Sequence, residues 1–451
     1  MTSMIVLLVV LFVLIFIGVP VGFAIGGATM VSILTTSNLS MVVNAQYCYS
    51  GIFSFTVMAI PFFMLAGIVM SSGSIAKKIV NFAEALIGSI TGGLGAVAMV
   101  ACMFFGAISG SGMATTSAIG SMLIPEMKKK GYPADYAATL VCFGGIVGPI
   151  IPPSLSFVLY GSATGVSIAD LFKAGIFPGI LLGLGFMAVN YVFCKTRGMG
   201  QIEAAGSSAA IPVEGVEFNS NEEAAEFAKN QVNSRLKNLW IAFKDGFWAL
   251  LSPAIILGGI YSGTFTPTEA ACVSVVYSII VSMFIYRDLN LKGVYKAFVD
   301  AAVLNGITSF LLGYSTVFST FMTFERIPDA IYNFLVSISD SKIVVLLIIN
   351  AVLLILGCFL DTVPAIIVMA PLLLPAVKQF GVDPIHFGVI MAVNLALGLC
   401  SPPYGCNLFV GCAVAKIKMQ DMFKWLIPFF IVGVIMVLII TFVEPLSLVL
   451  I

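Results

Sequence analysis

Two short stretches carry side chains that apolar sequence does not otherwise supply: ISGSGMATT at 108–116 and LDTVP at 360–364. In the first, Ser109, Ser111, Thr115 and Thr116 are hydroxyls set among glycines. Gly110 and its neighbours allow a tight backbone turn, so hydroxyls and main-chain carbonyls can converge. An all-oxygen cage of this kind suits sodium, and carbonyls at the ends of interrupted helices would complete it. The same spacing also serves a small-residue packing surface between helices. In the second stretch Asp361, followed by Thr362, is a lone carboxylate between two apolar runs. Burying a charged Asp in a membrane helix costs at least about 2.5–3.5 kcal/mol on insertion scales. No Lys or Arg lies near it in sequence, so a bound cation is its simplest partner. A surface loop between two spans is the alternative. Ser109, Gly110, Ser111, Asp361 and Thr362 are thus the candidate sodium ligands.

Two further segments should face these tips. GPIIPPS (148–154) and GLCSPPYG (398–405) interrupt apolar runs with double prolines. Proline removes a donor and kinks the chain, which frees carbonyls on one side and N–H groups on the other. Carbonyl ends favour cations and helix N-termini favour anions. Gly148, Pro149, Ser154, Asn394, Gly398 and Ser401 are the expected lining of an ion and substrate cavity, with Thr115 and Thr116 also assigned to substrate. A kink of purely structural purpose is the alternative. Arg197, Arg235, Arg287 and Arg326 all lie outside these segments. A carboxylate substrate would therefore be held by N–H groups, hydroxyls and bound cations.

The elements that must position these residues are membrane helices. The chain has 451 residues, 60% hydrophobic and 9% charged, with mean hydropathy +1.11. A soluble protein carries about 25% charged residues. The first charge is Lys77, and charge-free runs recur at 85–125, 137–169, 174–194, 246–268, 270–286, 301–324, 343–360, 387–415 and 425–443. A crossing needs about 20 apolar residues, and most of these runs qualify. Zero net charge points to no nucleic acid. Nine cysteines without CxxC spacing read as small core residues, and a single histidine, His386, excludes histidine-rich metal chemistry. The first apolar stretch lacks a basic n-region and is too long for a signal peptide, so it reads as a retained helix.

A repeat organises the chain. Pro125, Gly131, Gly148, Pro152–Pro153 and Pro178 recur 250 positions on as Pro375, Gly381, Gly398, Pro402–Pro403 and Pro428. Each copy runs from an apolar stretch through a polar tip to a second apolar stretch, then to a helix broken at a double proline. The expected hairpins span 92–127 and 343–378, and the broken helices 134–166 and 384–415. Lysine excess marks the cytoplasm. Lys77, Lys78 and Lys128 to Lys130 flank the first hairpin, whereas Lys342 and Lys378 sit beside Asp329, Asp340 and Asp383 around the second. Helices expected near 134–166, 174–194, 247–264, 268–286 and 297–323 give an odd number of crossings. Both arguments make the copies inverted (1–194 and 246–451), with the polar stretch 195–245 cytoplasmic and the C-terminus periplasmic. That stretch holds 13 of the 42 charged residues, too polar for a core, and reads as a linker helical around 221–245. Segments 75–90 and 327–339 read as amphipathic surface helices, either arms joining a moving part to a fixed one or plain surface helices.

The longer motifs carry a resemblance. SGSGMATTSAIGSMLIPEMKKKGYPADYAATL, GPIIPPSLSFVLYG, SIADLFKAGIFPGI and TFTPTEAA, then GCFLDTVPAIIVMAPLLLP, GVDPIHFGVI and GLCSPPYG, resemble the dicarboxylate-type large membrane subunit of tripartite ATP-independent periplasmic (TRAP) transporters over nearly the whole chain. The resemblance implies an all-α polytopic protein with the elevator-type fold of the ion transporter superfamily. A transport domain bearing two re-entrant hairpins would slide against a scaffold in a bacterial or archaeal inner membrane, among its lipids. It implies sodium co-transport, a periplasmic binding protein that delivers a small organic anion, and a separate small four-helix membrane subunit. Ser109 and Ser111 would match the family's first-hairpin sodium-site serines, and Asp361 its acidic residue in the second hairpin. Sialic acids, four-carbon dicarboxylates and sugar acids all fit. The stretch 195–245 is longer than the family pattern leads one to expect.

Two rivals stand beside that reading. A self-sufficient sodium–dicarboxylate symporter of the same superfamily would need no binding protein. A membrane-embedded enzyme would need a nucleophile–base or metal constellation, which one histidine and the lack of HExxH argue against.

Overall fold

The computed structural model describes residues 2–36, 40–88, 91–199, 221–402 and 404–451. Residues 200–220 of the expected linker, and Pro403 of the second double proline, lie outside the described residues. Among the described residues the chain is helical, with no strand. Among the described residues seven helices are long and apolar enough to cross a membrane, or up to eight if a bent pair is one span. The protein is therefore polytopic.

The first stretch comprises α1 (Thr2–Phe16), α2 (Val21–Thr36), α3 (Met41–Ile52), α4 (Ala59–Ser72) and α5 (Ile75–Ile87). Then come α6 (Gly93–Ser109), α7 (Gly112–Lys129), α8 (Ala134–Gly145), α9 (Leu155–Thr164) and α10 (Ile168–Arg197). The second stretch has α11 (Asn221–Tyr261), α12 (Pro267–Ile280, continued by a π-helical turn Val281–Ile285), α13 (Leu291–Phe324) and α14 (Ile327–Ile338). It ends with α15 (Lys342–Phe359), α16 (Thr362–Gln379), α17 (Pro384–Gly398), α18 (Cys406–Ala415), α19 (Met419–Phe442) and α20 (Pro445–Leu448). The succession α5–α10 is thus matched, element for element, by α14–α19.

Caps explain where helices begin earlier than apolar content alone suggests. The second arms of the hairpins start at 112 and 362, ahead of their apolar runs, because Ser111 and Asp361 cap them. Helix α10 starts at 168 because the Ser167 side chain accepts from Asp170 N–H, and Lys195 and Arg197 suit its C-terminal end. Helix α11 runs through residue 245 without a break.

The expected surface helices are α5 and α14. Helix α4 turns by 71° into α5. Helix α5 buries Ile75, Ala76, Ile79, Val80 and Ala83, and Lys78 pairs with Asp245 of α11 at 2.6 Å. Ser74 N–H donates to the Asp288 carboxylate.

Helices α1–α4, α12 and α13 pack on one another. The hairpin arms surround α8 and α17, which are buried almost throughout, as befits helices that are apolar on every face. Arms α6 and α7 pack on α8, and α15 and α16 on α17. Each second arm also reaches the other half: α7 packs on α18, and α16 on α9. Lys342 Nζ donates to Gly381 O at 3.1 Å, which brings the start of α15 to the end of α16 and closes that hairpin at its base.

Candidate functional site

The first tip is built by a glycine and a cap. Gly110 ends α6 at φ +63°, in the left-handed region that favours glycine. Ser111 then accepts from Ala114 N–H at 3.4 Å and starts α7. Ser109 Oγ lies 2.9 Å from Thr115 Oγ1, and Thr115 donates to Ser111 O at 2.8 Å. Ser109, Ser111 and Thr115 therefore form one connected oxygen cluster, with Thr115 fully buried. Thr116, also fully buried, points to the other side of α7 and donates to Val141 O of α8 at 3.5 Å.

The second tip is simpler. Leu360 is extended, and Asp361 caps α16, its carboxylate accepting from Thr362 N–H at 2.7 Å and Thr362 Oγ1 at 3.3 Å. Asp361 is half-buried and Thr362 buried. Among the described residues no Lys, Arg or His forms an ion pair with Asp361.

Both tips abut breaks in the central helices. After α8 ends at Gly145, residues 146–154 run irregularly until Ser154 caps α9, accepting from Phe157 N–H at 3.4 Å. Ser154 Oγ also donates to Pro149 O. A Cβ on Gly110 would lie 3.0 Å from Leu155 N, so the first tip rests on the start of α9. The second break, 399–405, meets the second tip through Gly405 N–H to Cys358 O at 3.1 Å and Cys358 Sγ to Ser401 O at 3.1 Å. It meets the first tip as well: a Cβ on Gly112 would lie 3.6 Å from Leu399 Cδ1 and 3.4 Å from Gly145 O. The two tips therefore flank one segment, 399–407. Backbone-to-backbone approaches brace the arms, since a Cβ on Gly398 would sit 2.5 Å from Gly357 Cα, and one on Gly106 would strike Gly148 Cα.

The expected lining residues divide. Gly148, Pro149, Ser154 and Gly398 stand at the breaks, and Ser401 Oγ donates to Gly398 O at 2.9 Å. Asn394 instead turns into the helix bundle. Its amide donates to Asn350 Oδ1 and Ile390 O, both at 2.8 Å. Asn350 continues to Thr441 Oγ1 at 3.0 Å, and His386 Nε2 lies 3.1 Å from Thr441 O.

Asn407 was not singled out in the sequence, yet it stands at the meeting point. It is fully buried, its Nδ2 donates to Cys142 O at 2.7 Å, and its Oδ1 has no hydrogen-bond partner among the described residues. A Cβ on Gly145 would meet Thr116 Oγ1, Gly112 O and Asn407 Nδ2 together. An Asn just past a double proline, one of two in the charge-free run 387–415, was the available signal.

Chemically, four helices end and four begin around these tips and breaks. Their C-terminal ends are attractive to a cation and their N-terminal ends to an anion. The donor set is oxygen, as a hard cation requires. Among the described residues no group of three His, Cys, Asp or Glu could hold a metal ion.

A family model for the DctM component of the tripartite ATP-independent periplasmic transporters matches residues 8–446. The isethionate TRAP transporter permease protein DctMQ of Oleidesulfovibrio alaskensis is 39% identical over 419 residues, 93% of this chain and 61% of that protein. The chain thus spans about three fifths of that relative. The C4-dicarboxylate TRAP transporter large permease protein DctM of Pseudomonas aeruginosa is 38% identical over 395 residues, 87% of this chain and 86% of the relative. The sialic acid TRAP transporter permease protein SiaT of Haemophilus influenzae is 35% identical over 398 residues, 88% of this chain and 60% of that protein. A crystal structure of the Alcanivorax borkumensis YdaH transporter is similar with TM-score 0.57 at 13% identity, covering 90% of this chain and 89% of the other. That likeness concerns the fold alone.

Proposed function

The chain belongs to the DctM component family of tripartite ATP-independent periplasmic transporters, and from that premise we propose that it imports a small organic anion across the inner membrane, driven by sodium. The substrate is a carboxylate, sugar acid or related acid, of the kinds named for its relatives. Its partners are a periplasmic binding protein and a small membrane subunit, the latter reading supported by the fused name of the isethionate relative.

The observation that carries the reading is the meeting of both tips at 399–407. One sodium sits at the first tip among Ser109, Ser111 and Thr115, with Gly145 O and Asn407 Oδ1 within the same cluster of elements. A second neutralises Asp361 beside Thr362 and the Ser401 turn. The anion then lies between the bound cations and the N-termini of α7, α9, α16 and α18, held without arginine. Broken helices that line a midplane cavity are the usual architecture of such sites. Freed backbone is tolerated there because protein or water, and not lipid, surrounds it.

The matched succession α5–α10 and α14–α19 supports two copies, each a re-entrant hairpin followed by a broken helix, and their inversion rests on the lysine distribution and the odd number of crossings between them. Arms of 17 to 18 residues measure about 26–27 Å, so those of the second hairpin are long enough to cross. Re-entry rests on the shared meeting point of the tips. In the elevator reading the hairpins and central helices move as one body against α1–α4, α12 and α13, with α5 and α14 as connecting arms.

Uptake into proteoliposomes holding the chain, its small subunit and the loaded binding protein tests this. It should require an inward sodium gradient, and unchanged uptake after the gradient is collapsed would remove sodium from the mechanism. Uptake that persists without the binding protein would select the self-sufficient symporter.

A further inference from the structure

Away from the tips, α10 and α19 pack antiparallel and leave a groove of about 420 Å³ between them. Gly185, Ala188, Val189, Val192, Pro428 and Val432 line it, and its walls are apolar. At one end the lining includes Phe193, and there the surface becomes basic. The Arg197 guanidinium stacks 4.4 Å above the Trp425 ring and 5.5 Å from the Phe193 ring. Lys195 lies over Tyr191, and Lys424 beside Trp425. Arg197, Lys195 and Lys424 are exposed, and one carboxylate, Asp135, pairs with Lys424 at 2.5 Å. Arg197 and Lys195 have no carboxylate ion-pair partner among the described residues.

Basic residues at a helix C-terminus complement its dipole and need no ligand. Here they close one end of an apolar trough in a membrane protein, with the guanidinium over the Trp425 ring and beside the Phe193 ring. A stacked guanidinium keeps its N–H fork free for a phosphodiester. Basic pockets between membrane helices bind anionic head groups.

We propose that this groove seats one anionic phospholipid, its acyl chain along Ala188, Val192 and Val432 and its phosphodiester on Arg197, Lys195 and Lys424. The lipid would lie against the outer faces of α10 and α19, away from the tips, so the proposal does not depend on sodium coupling.

The test is native mass spectrometry of the purified full chain released from nanodiscs of equal dioleoylphosphatidylglycerol and dioleoylphosphatidylcholine. Phosphatidylglycerol should be retained in preference to phosphatidylcholine. Two variants attack the two ends of the site: Lys195→Gln with Arg197→Gln removes two of the three basic residues of the clasp, and Ala188→Phe fills the trough from an exposed position. Each should lower the preference, the charge variant by about thirtyfold given the attraction of two basic residues near an anionic surface. No preference in the unaltered chain, or a preference that survives both variants, overturns the proposal. So does inorganic phosphate displacing the phosphatidylglycerol equally from the unaltered chain and the Ala188→Phe variant, which would mark a free-anion site.

Discussion

The two hairpin tips solve the same local problem with different chemistry. Each must start its second arm, and each uses the side chain of its last tip residue as the cap: Ser111 for α7, Asp361 for α16. The first tip spreads its oxygens over Ser109, Ser111 and Thr115, which already hydrogen-bond one another. The second concentrates its oxygen in one carboxylate whose contacts are to the neighbouring Thr362. A neutral cluster that satisfies itself can stand without an ion. A half-buried carboxylate between apolar arms is better served by a cation. Under the proposed sodium coupling, the first tip would tune affinity and the second would provide obligatory charge balance.

Substitution at the second tip should therefore have the largest effect. Asp361→Asn keeps a good helix cap, so thermal stability should hold, while sodium-driven uptake in proteoliposomes should fall about tenfold or more, since a charge-assisted contact is worth about 1.5–3 kcal/mol. Wild-type sodium dependence in this variant would erase the distinction between the tips.

The braces behind the tips come next. Gly398→Ala drives a methyl into the Gly357 backbone. Overpacking of this kind costs about 1–3 kcal/mol, to be read as a lowered unfolding temperature. Gly106→Ala should do the same behind the first tip.

Asn394 sharpens the comparison by belonging to neither tip. Asn394→Leu leaves Asn350 short of a donor, at about 1–3 kcal/mol. The unfolding temperature should drop while the sodium concentration for half-maximal uptake stays put. A shift in sodium or substrate dependence would place Asn394 in the cavity after all.

The smallest effect is expected at the first tip. Ser109→Ala removes one hydroxyl from a shared cluster, worth about 0.5–1.5 kcal/mol. Half-saturation by sodium should rise about two- to tenfold with the maximal rate retained. A total loss of uptake would make the first tip as obligatory as the second.

Much of this was legible in the sequence. Charge-free runs marked the apolar segments, polar residues within them marked both tips, and the matched Gly and Pro positions picked out both breaks. Helix starts were misplaced by a few residues, because Ser111, Ser167 and Asp361 cap their helices ahead of the apolar run. The roles of the two asparagines were not legible. Asn394 and Asn407 are the two side-chain amides of one apolar stretch, and only tertiary packing turns one toward Asn350 and the other toward the break. The interleaving of α7 with α18 and of α16 with α9 was hidden for the same reason, being a long-range contact without a local pattern.

The most direct test is a cryo-electron microscopy comparison of the chain, with its small subunit, in sodium and in choline. Ion density should appear against the oxygens of Ser109 and Thr115 and against Asp361, on the two flanks of segment 399–407, and vanish in choline. Tips that open to bulk water on opposite membrane faces, with no sodium-dependent density at either, would contradict the account.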